Sequence, residues 1–473
     1  MRQLSGADAF FLYSDRPGRH QHVSTVYIYD PATAAGGELD FGAIRDHMEN
    51  RLDVSRLFRR RLMRVPFDLD YPWWIEDADF ELDFHLRHIA LPEPGDWRHL
   101  CIQLSRLHAR PLDMTRPPWE MYVIEGLDAV EGLPPGAFAV MTKVHHAAVD
   151  DVTEEDFTIA LHDLEPQPSA VRRATRWHPE KEPGLGGLML LSWFNNTTKI
   201  LETGQTLIDR LPVVGSRRLR PGDLLHTDHG PAPVTRFDHR ISPHRVWDAR
   251  FFDIAAVERI AATVRLGTVG DVAVAICGGA VRRYLESKDE LPVATLWALL
   301  PIHQVEDAEE GIPGHRVRLA RIRLMTDVAD PMARLAGVHG EIEASRMSSA
   351  LDAEEMDELQ DSLPATTMNL AARTISANLG PGRQYRKNHN LVVSMTPGPD
   401  RPLYLCGARL LAFTGMASIM DDLGLAHTVT TYDGRLAIAF VSDRRMMPDP
   451  AFYADCLQAE FEELAAAATS GRG

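Results

Sequence analysis

Hydrophobic and polar residues follow two different spacings along this chain. Residues 23–29 are rich in β-branched and aromatic side chains and end at Asp30-Pro31, which predicts a strand followed by a turn. Leu100, Leu104 and Leu107 recur at steps of three and four, which predicts a helix over residues 97–109. We predict further helices over residues 41–52, 154–164, 255–264, 271–285, 329–347 and 450–467, and further strands over residues 121–125, 137–144, 296–300, 317–324, 390–394 and 436–441.

Two stretches with the composition of linkers interrupt this pattern. Residues 166–183 are rich in proline and charge, and residues 216–233 resemble them. Between them, residues 188–211 are amphipathic and have arginines at their far end, so they either lie in a lipid interface or pack across two domains. We predict an N-terminal domain of residues 1–170, a linker with an amphipathic helix over residues 171–235, and a C-terminal domain of residues 236–473.

Composition and charge limit the kind of partner. Hydrophobic residues make up 45% and charged residues 25% of the 473, as in a soluble globular protein. Acidic residues outnumber basic ones by 67 to 50, and the net charge of −17 disfavours general binding to nucleic acid or anionic lipid. A polyanionic ligand would need a local basic patch. One candidate is the arginine cluster of residues 56–64, although a solvated helix face gives the same pattern.

The cysteines and the N-terminal residues indicate where in the cell the protein is expected. Four widely spaced cysteines form no C-x-x-C pair, which favours a reducing cytoplasm over a disulfide framework or a zinc site. The first residues lack the apolar core of a signal peptide, and no run approaches the ~20 apolar residues of a spanning helix. We expect a cytoplasmic protein that reaches any membrane lipid peripherally, at the inner membrane or at lipid inclusions.

The strongest local signal for chemistry is the pair His145-His146, followed by Asp150. Residues 137–144 form a predicted strand that leads directly into the two histidines. A neutral imidazole has a reference pKa of about 6.5, so it can act as a general base that removes a proton from an attacking hydroxyl. No serine or cysteine nucleophile is then needed if both substrates are held together.

Two other interpretations of the histidine pair stay open. A structural pair at a strand end has the same sequence. A metal site of His145, His146 and Asp150 is disfavoured because adjacent strand residues point to opposite faces, so we predict no metal. The chain contains neither a G-x-S-x-G elbow nor a phosphate-binding G-x-x-x-x-G-K-[ST] loop.

Motifs along nearly the whole chain resemble the bacterial wax ester synthase/diacylglycerol acyltransferases. This family belongs to the CoA-dependent acyltransferases with the chloramphenicol-acetyltransferase-like fold. The resemblance rests on Leu4-Ser5-Gly6-Ala7-Asp8-Ala9-Phe10-Phe11-Leu12, His22-Val23, His85-Leu86-Arg87-His88, Leu91-Pro92-Glu93-Pro94-Gly95, Arg110-Pro111-Leu112-Asp113, Arg116-Pro117-Pro118-Trp119-Glu120, Pro397-Gly398-Pro399, Pro402-Leu403-Tyr404, Tyr432-Asp433-Gly434 and Asp443.

The resemblance implies a fold and a role for each residue of the histidine motif. Two similar α/β domains would lie side by side, in an α+β two-layer arrangement, with a tunnel between them. Acyl-CoA and the acceptor alcohol would enter it from opposite mouths, with no bound cofactor. His146 would be the general base, His145 would help to build the loop, and Asp150 would brace that loop through an arginine.

Several positions depart from the family pattern. Asp151 replaces the glycine that ends the histidine motif; aspartate tolerates positive φ, and its carboxylate would raise the pKa of His146 if within ~4–6 Å. Gly270-Asp271 stands where the family has Asn-Asp, and Gly314-His315 where it has Gly-Asn. Ser394-Met395-Thr396-Pro397-Gly398-Pro399 stands where the family has Ser-Asn-Val-Pro-Gly-Pro. We expect these residues to bind substrate or to shape the site.

Three functions are compatible with these residues. The resemblance implies an O-acyltransferase that moves a long-chain acyl group from acyl-CoA to diacylglycerol or to a long-chain alcohol. The lost asparagines favour a weakened or inactive member that binds lipid or acyl-CoA, because a lost oxyanion donor can cost ~10²–10³ in rate. A third hypothesis keeps the fold and changes the acceptor alcohol.

Overall fold

A computed structural model describes residues 1–34, 36–38, 40–148, 158, 160–167, 184, 186–187, 230–303, 317–347 and 388–470. Its strands and helices follow one another in mixed order along the chain. The strands are β1 Arg2–Gln3, β2 His22–Asp30, β3 Arg60–Met63, β4 Trp73–Glu76, β5 Leu86–Ala90, β6 Trp119–Glu125, β7 Phe138–His145, β8 Arg245–Asp253, β9 Trp297–His303, β10 Val317–Arg323, β11 Leu391–Pro397, β12 Tyr404–Leu405, β13 Ala408–Met416, β14 Leu425–Tyr432 and β15 Arg435–Asp443. The helices are α1 Gly6–Ser14, α2 Phe41–Arg51, α3 Leu82–His85, α4 Trp97–Ala109, α5 Ile254–Ala261, α6 Val269–Glu286, α7 Pro331–Met347 and α8 Pro450–Ser470.

Most elements predicted from hydrophobic spacing are confirmed. The predicted helix over residues 97–109 is α4, in which Leu100, Leu104 and Leu107 are buried and Asp96 caps the first turn. The predicted strand over residues 23–29 is β2, which is one residue longer at each end, and the predicted strand over residues 137–144 is β7, which is shifted by one residue. The helix predicted over residues 154–164 lies largely outside the described residues.

The first large sheet contains the strand that carries the histidine pair. Its six strands lie in the order β12-β13-β2-β7-β6-β5, and β7 is antiparallel to both β2 and β6. Strand β7 is buried along its whole length, as expected for a central strand. A smaller three-stranded sheet has the order β1-β4-β3.

The second large sheet has the strand order β10-β9-β11-β14-β15-β8. Strand β11 runs parallel to both β9 and β14, so its two neighbours cover its edges and its carboxyl end leads into the segment Pro397-Gly398-Pro399. Helix α8 packs against α6, α7 and β8. Helix α8 therefore lies against the edge strand β8 of this sheet and joins the two other helices.

The described residues form two compact units, and each unit contains more than one segment of the chain. The first unit contains residues up to 187 together with residues 401–413. The second contains residues 230–347 and 388–400 as far as they are described, and residues 414–470. The segment 401–413 contributes β12 and most of β13 to the first sheet, so a late piece of chain completes an early sheet.

A buried ion pair lies among the helices of the second unit. Arg334 on α7 is bonded to Glu460 on α8, and each side chain is only 2% exposed. A Cβ on Gly279 of α6 would overlap the carboxylate carbon of Glu460, so only glycine leaves room for that carboxylate. Burial raises the pKa of Glu460, and the nearby Arg334 opposes that rise. Within the described residues, no helix is both long and apolar enough to cross a membrane.

Candidate active site

The strand register places the histidine pair at the end of β7. His145 is the last residue of the strand and lies opposite His22, the first residue of β2. Its backbone N–H donates to the carbonyl of Pro118 at 3.0 Å, and the N–H of His146 donates to the carbonyl of Gln21 at 2.7 Å. The neighbouring chain on both sides therefore fixes the backbone at the two histidines.

The ring of His145 is buried and bonded at both nitrogens. Its Nε2 lies 3.3 Å from Asp15 Oδ2, and the backbone N–H of Ala147 donates to its Nδ1 at 3.1 Å. Asp15 also lies 3.1 Å from His20 Nδ1. Burial works to raise the pKa of Asp15, but the hydrogen bonds from His145 and His20 outweigh burial and lower it. Asp15 is therefore held as a carboxylate.

The next residue, His146, has different surroundings. It begins a short 3-10 turn, His146–Ala148, and it is half-buried, whereas the His145 side chain is only 1% exposed. Its imidazole stacks on the ring of Phe11 with 3.9 Å between centroids and 9° between planes. Phe11 belongs to α1, so the first helix of the chain supports the ring of His146 from one face.

A fully buried lysine lies two residues before the pair on β7. Lys143 Nζ is 2.9 Å from Glu120 Oε2 and donates to the carbonyls of Leu107 and Arg110, each at 3.1 Å. Tyr122 donates its hydroxyl to the same Glu120 oxygen at 2.8 Å. Burial lowers the pKa of Lys143, and Glu120 opposes that shift. These bonds tie the end of α4 to β6 and β7 below the histidine pair.

His22 and Ser24 on β2 hold the same end of α4. His22 Nε2 is bonded to the carbonyl of His108, and Ser24 Oγ lies 2.9 Å from His108 Nδ1. Burial, with His108 and Lys143 nearby, holds the pKa of His22 well below its ordinary value. His22, which belongs to the motif that resembles the family's first strand, therefore holds the end of α4 in place.

The contacts of Asp15, Phe11 and Lys143 were not predicted from the sequence. Asp15 and Phe11 contact the histidine pair from a distant part of the sequence, and Lys143 contacts partners on α4 and β6, so hydrophobic spacing gave no signal for these contacts. For Lys143 the sequence did contain a signal: a lysine inside an otherwise apolar central strand needs buried partners.

The second unit contains the other predicted site residues, and Asp271 caps a helix there. Thr268 is the N-cap of α6: the N–H of Asp271 donates to Thr268 Oγ1 at 3.2 Å, and the N–H of Thr268 donates to Asp271 Oδ2 at 2.8 Å. His339 Nδ1 lies 2.9 Å from the same carboxylate oxygen. Asp271 is 2% exposed, so this carboxylate holds the helix end.

Two of the departures from the family pattern touch each other. A Cβ on Gly270 would lie 3.3 Å from Met395 Sδ and 3.6 Å from its Cε. The Met395 thioether therefore lies in tight van der Waals contact with the place where a side chain at position 270 would begin. On the same strand, Ser394 donates its hydroxyl to the carbonyl of His427 at 3.3 Å.

The segment Pro397-Gly398-Pro399 follows directly from β11. Pro397 is the last strand residue and lies opposite Thr431, whose carbonyl accepts from the N–H of Gly398 at 2.8 Å. Pro397 and Pro399 are exposed, and Gly398 is half-buried. Asp150, Asp151, Gly314 and His315 lie outside the described residues.

The basic cluster of residues 56–64 has acidic neighbours. Its arginines are therefore partly neutralised, which weakens the prediction of a phosphate-binding patch. The ion pairs are Arg59 with Asp53, Arg61 with Asp77 at 3.7 Å, and Arg64 with Asp68 at 4.0 Å. Among the residues with described positions, no group of histidine, cysteine, aspartate and glutamate could hold a metal ion.

Sequence models of one family match most of the chain. The wax ester synthase/diacylglycerol acyltransferase catalytic domain matches residues 4–273, and the WS/DGAT C-terminal domain matches residues 314–465. The chain therefore belongs to the wax ester synthase/diacylglycerol acyltransferase family of O-acyltransferases, as the sequence motifs predicted.

Individual relatives agree over nearly the full length. The chain is 30% identical to a Mycobacterium tuberculosis protein provisionally named a diacylglycerol O-acyltransferase, over 99% of this chain and 98% of that protein. It is 29% identical to the O-acyltransferase WSD of Acinetobacter baylyi, over 95% and 93% of the two chains.

Solved structures confirm the predicted α/β fold class. The wax ester synthase/diacylglycerol acyltransferase of Marinobacter aquaeolei VT8 matches with a TM-score of 0.70 and 26% identity, over 99% of this chain and 100% of that one. A starter condensation domain of rhizomide synthetase, solved with C8-CoA and Leu-SNAC, matches with a TM-score of 0.53 and 11% identity, over 99% and 94%. At that identity the second match shows the fold alone.

Proposed function

We propose that this protein transfers a long-chain acyl group from acyl-CoA to the hydroxyl of diacylglycerol or of a long-chain alcohol, with His146 as the general base. The contrast between the two adjacent histidines carries the proposal. His145 is buried and bonded at both ring nitrogens, whereas His146 is half-buried on the turn that follows. A general base must reach a substrate hydroxyl, and the exposure of His146 suits that role better.

In the proposed reaction, neutral His146 accepts the proton of the acceptor hydroxyl while the oxygen attacks the thioester carbonyl. A new C–O bond forms and gives a tetrahedral intermediate. The C–S bond then breaks, and the leaving CoA thiolate takes the proton from the imidazolium. The products are an ester and free CoA, and His146 returns to its neutral form.

The remaining predicted site residues have supporting roles in this proposal. Asp150 braces the turn that carries His146, and Asp151 shapes it. In the second unit, Asp271 holds the start of α6, while Gly270 and Met395 set the shape of the surface next to it. Ser394, Pro397, Gly398 and Pro399 shape the substrate-binding surface at the end of β11.

The test is an assay with labelled palmitoyl-CoA and two acceptors, diacylglycerol and hexadecanol. We expect labelled triacylglycerol or wax ester, and a fall in kcat of about 10²–10⁴ in His146→Ala, because that variant loses the base. His99→Ala is the matched control, since His99 is a partly exposed helix residue paired with Asp96. Ester formation that is unchanged in His146→Ala would contradict the proposed role.

A second candidate function is acyl-CoA or lipid binding without turnover. It is favoured by the Gly270–Met395 contact, where a thioether occupies space next to a position at which the family has an asparagine. This candidate predicts saturable binding of palmitoyl-CoA with no ester from either acceptor. An ester formed only with a different alcohol would instead indicate an altered acceptor.

We propose a cytoplasmic protein that contacts the inner membrane or lipid inclusions peripherally, because both proposed acceptors partition into lipid. The predicted amphipathic segment, residues 188–211, lies outside the described residues. Flotation with vesicles of neutral phospholipid and diacylglycerol tests this contact, and a protein that stays at the bottom of the gradient would contradict it.

A further inference from the structure

Asp15 lies between two histidines at the end of α1. It is the residue that follows the last turn of the helix, and its side chain is 19% exposed. One carboxylate oxygen lies 3.1 Å from His20 Nδ1 and the other 3.3 Å from His145 Nε2. The His20 and His145 side chains are 14% and 1% exposed, so the carboxylate and both rings are largely shielded from water.

The backbone fixes which nitrogen of each ring carries the proton. The N–H of Ala147 donates to His145 Nδ1 at 3.1 Å, and the N–H of Gly18 donates to His20 Nε2 at 3.3 Å. In a neutral imidazole the accepting nitrogen is unprotonated and the other one carries the hydrogen. His145 therefore presents Nε2–H to Asp15, and His20 presents Nδ1–H to it.

Asp15 must accept from both rings at once. A carboxylate can do so, because both of its oxygens are acceptors. An amide of the same shape has one acceptor and one NH₂ group, so one of the two imidazoles would face a second donor. The hydrogen bonds that lower the pKa of Asp15 agree with a carboxylate that accepts twice.

We propose that Asp15 is a positioning residue for acyl transfer, which holds His145 in the Nε2–H tautomer and thereby fixes the turn that carries His146. The inference rests on the proposed role of His146 as the base. If His145 changed tautomer, its Nδ1–H would face the N–H of Ala147, and two donors would meet inside the turn His146–Ala148. Asp15 acts through His145 and is not itself a catalytic residue.

The test is a cycle of four proteins: wild type, Asp15→Asn, His20→Ala and the double variant. Asp15→Asn lowers kcat about tenfold or more, by analogy with the loss of a partner that orients a metal-bound histidine. His20→Ala stays near wild type, because Asp15 still accepts from His145. The double variant recovers most of the lost kcat, since the asparagine oxygen is then free to face His145.

Recovery in the double variant is the outcome that a merely structural role would not give. KM for palmitoyl-CoA stays near wild type throughout, because Asp15 acts on the turn and not on substrate binding. Asp96→Asn is the matched control: it alters another carboxylate with a 2.7 Å contact to a histidine, on the surface at the start of α4. Its kcat is expected to be unchanged.

Nitrogen-15 NMR of labelled histidines reports the tautomer of His145 without any assay, with His145→Gln used to assign the signal. We expect the Nε2–H pattern in wild type and its loss in Asp15→Asn. An unchanged tautomer or an unchanged kcat in Asp15→Asn overturns the positioning role, and so does a double variant no better than Asp15→Asn. Failure of the proposed function is separate, because it appears as full activity in His146→Ala or as no ester from wild type with either acceptor.

Discussion

The predicted site residues of the two units have contrasting surroundings. In the first unit, ionisable groups surround the histidine pair and its strand, and they meet one another through hydrogen bonds: Asp15 with His145, and Lys143 with Glu120. In the second unit, a thioether packs beside a glycine, Met395 against Gly270, and Asp271 caps a helix. The first set depends on matched donors and acceptors, whereas at Gly270 and Met395 the second set depends on space.

This contrast indicates which changes each unit can tolerate. A buried charge that loses its partner keeps its full desolvation cost, so a polar cluster is intolerant of single changes. A thioether is flexible and adapts to a change of shape. The departures from the family pattern at Gly270 and Met395 lie in the second, tolerant kind of environment.

The largest effect on the free energy of unfolding is expected in the polar cluster of the first unit. Lys143→Met removes the nearer cation from the buried Glu120, which keeps Arg87 at 3.9 Å, and it removes the lysine donor from the carbonyls of Leu107 and Arg110. We expect the free energy of unfolding to fall by about 3–5 kcal/mol, as when one partner of a buried pair is removed. Urea unfolding followed by circular dichroism measures it.

A surface pair provides the control for Lys143. Arg45 pairs with Glu49 and Asp83 on an exposed part of the first unit, so Arg45→Met should leave the free energy of unfolding close to that of wild type, because water screens exposed ion pairs. Adding Glu120→Gln to Lys143→Met should recover part of the loss, because no unpaired charge then stays buried. Equal losses in Lys143→Met and Arg45→Met would show that the buried contacts of Lys143 contribute no more than an exposed ion pair.

A smaller effect is expected on the pH dependence of stability, for which each unit offers one buried histidine. His162 lies 2.7 Å from the hydroxyl of Tyr29, and His427 lies 2.7 Å from that of Tyr453. Burial lowers the pKa of His162 to about 4 and that of His427 to about 3. The pKa of a histidine in the unfolded chain is about 6.5. Below that pH the unfolded chain binds a proton that the folded chain does not, so stability decreases as the pH is lowered, until the pH reaches the pKa of the histidine in the folded chain.

Each of these histidines should therefore cost about 1.4 kcal/mol per pH unit below pH 6.5, or about 2 kcal/mol at pH 5. Urea midpoints measured from pH 7 to pH 5 should fall less in His427→Gln and in His162→Gln than in wild type. A slope that is the same in wild type and in both variants would show that neither histidine is held neutral.

The smallest effect is expected at the apolar contact between Gly270 and Met395 in the second unit. Gly270→Asn places a Cβ 3.3 Å from Met395 Sδ, so the thioether must shift. We expect Gly270→Asn and Met395→Ala to be non-additive in the free energy of unfolding by roughly 0.5–1 kcal/mol, because the second change removes the crowded atom. Gly340→Asn on α7 is the control, since a Cβ there would meet no atom within 4 Å. Additive effects would mean that the two positions are independent.

The fold was predictable where hydrophobic spacing is regular. Helix α4 matches its predicted bounds, and α6 and α8 differ from theirs by only a few residues. Strands β8 and β14 were missed because their periodicity is weak: β14 contains four polar residues, His427, Thr428, Thr430 and Thr431, and is almost entirely buried. Those polar side chains become acceptable only when tertiary partners satisfy them, as Tyr453 does for His427.

The sequence by itself determined the α/β class, the family and the histidine pair, since adjacent histidines at a strand end and motifs along the chain are local features. Only the tertiary structure distinguished His145 from His146, because the difference between them is burial and bonding to Asp15. It also brought Met395 beside Gly270, over a separation of more than a hundred residues. Contacts between distant segments depend on sheet register and helix packing, which local patterns do not encode.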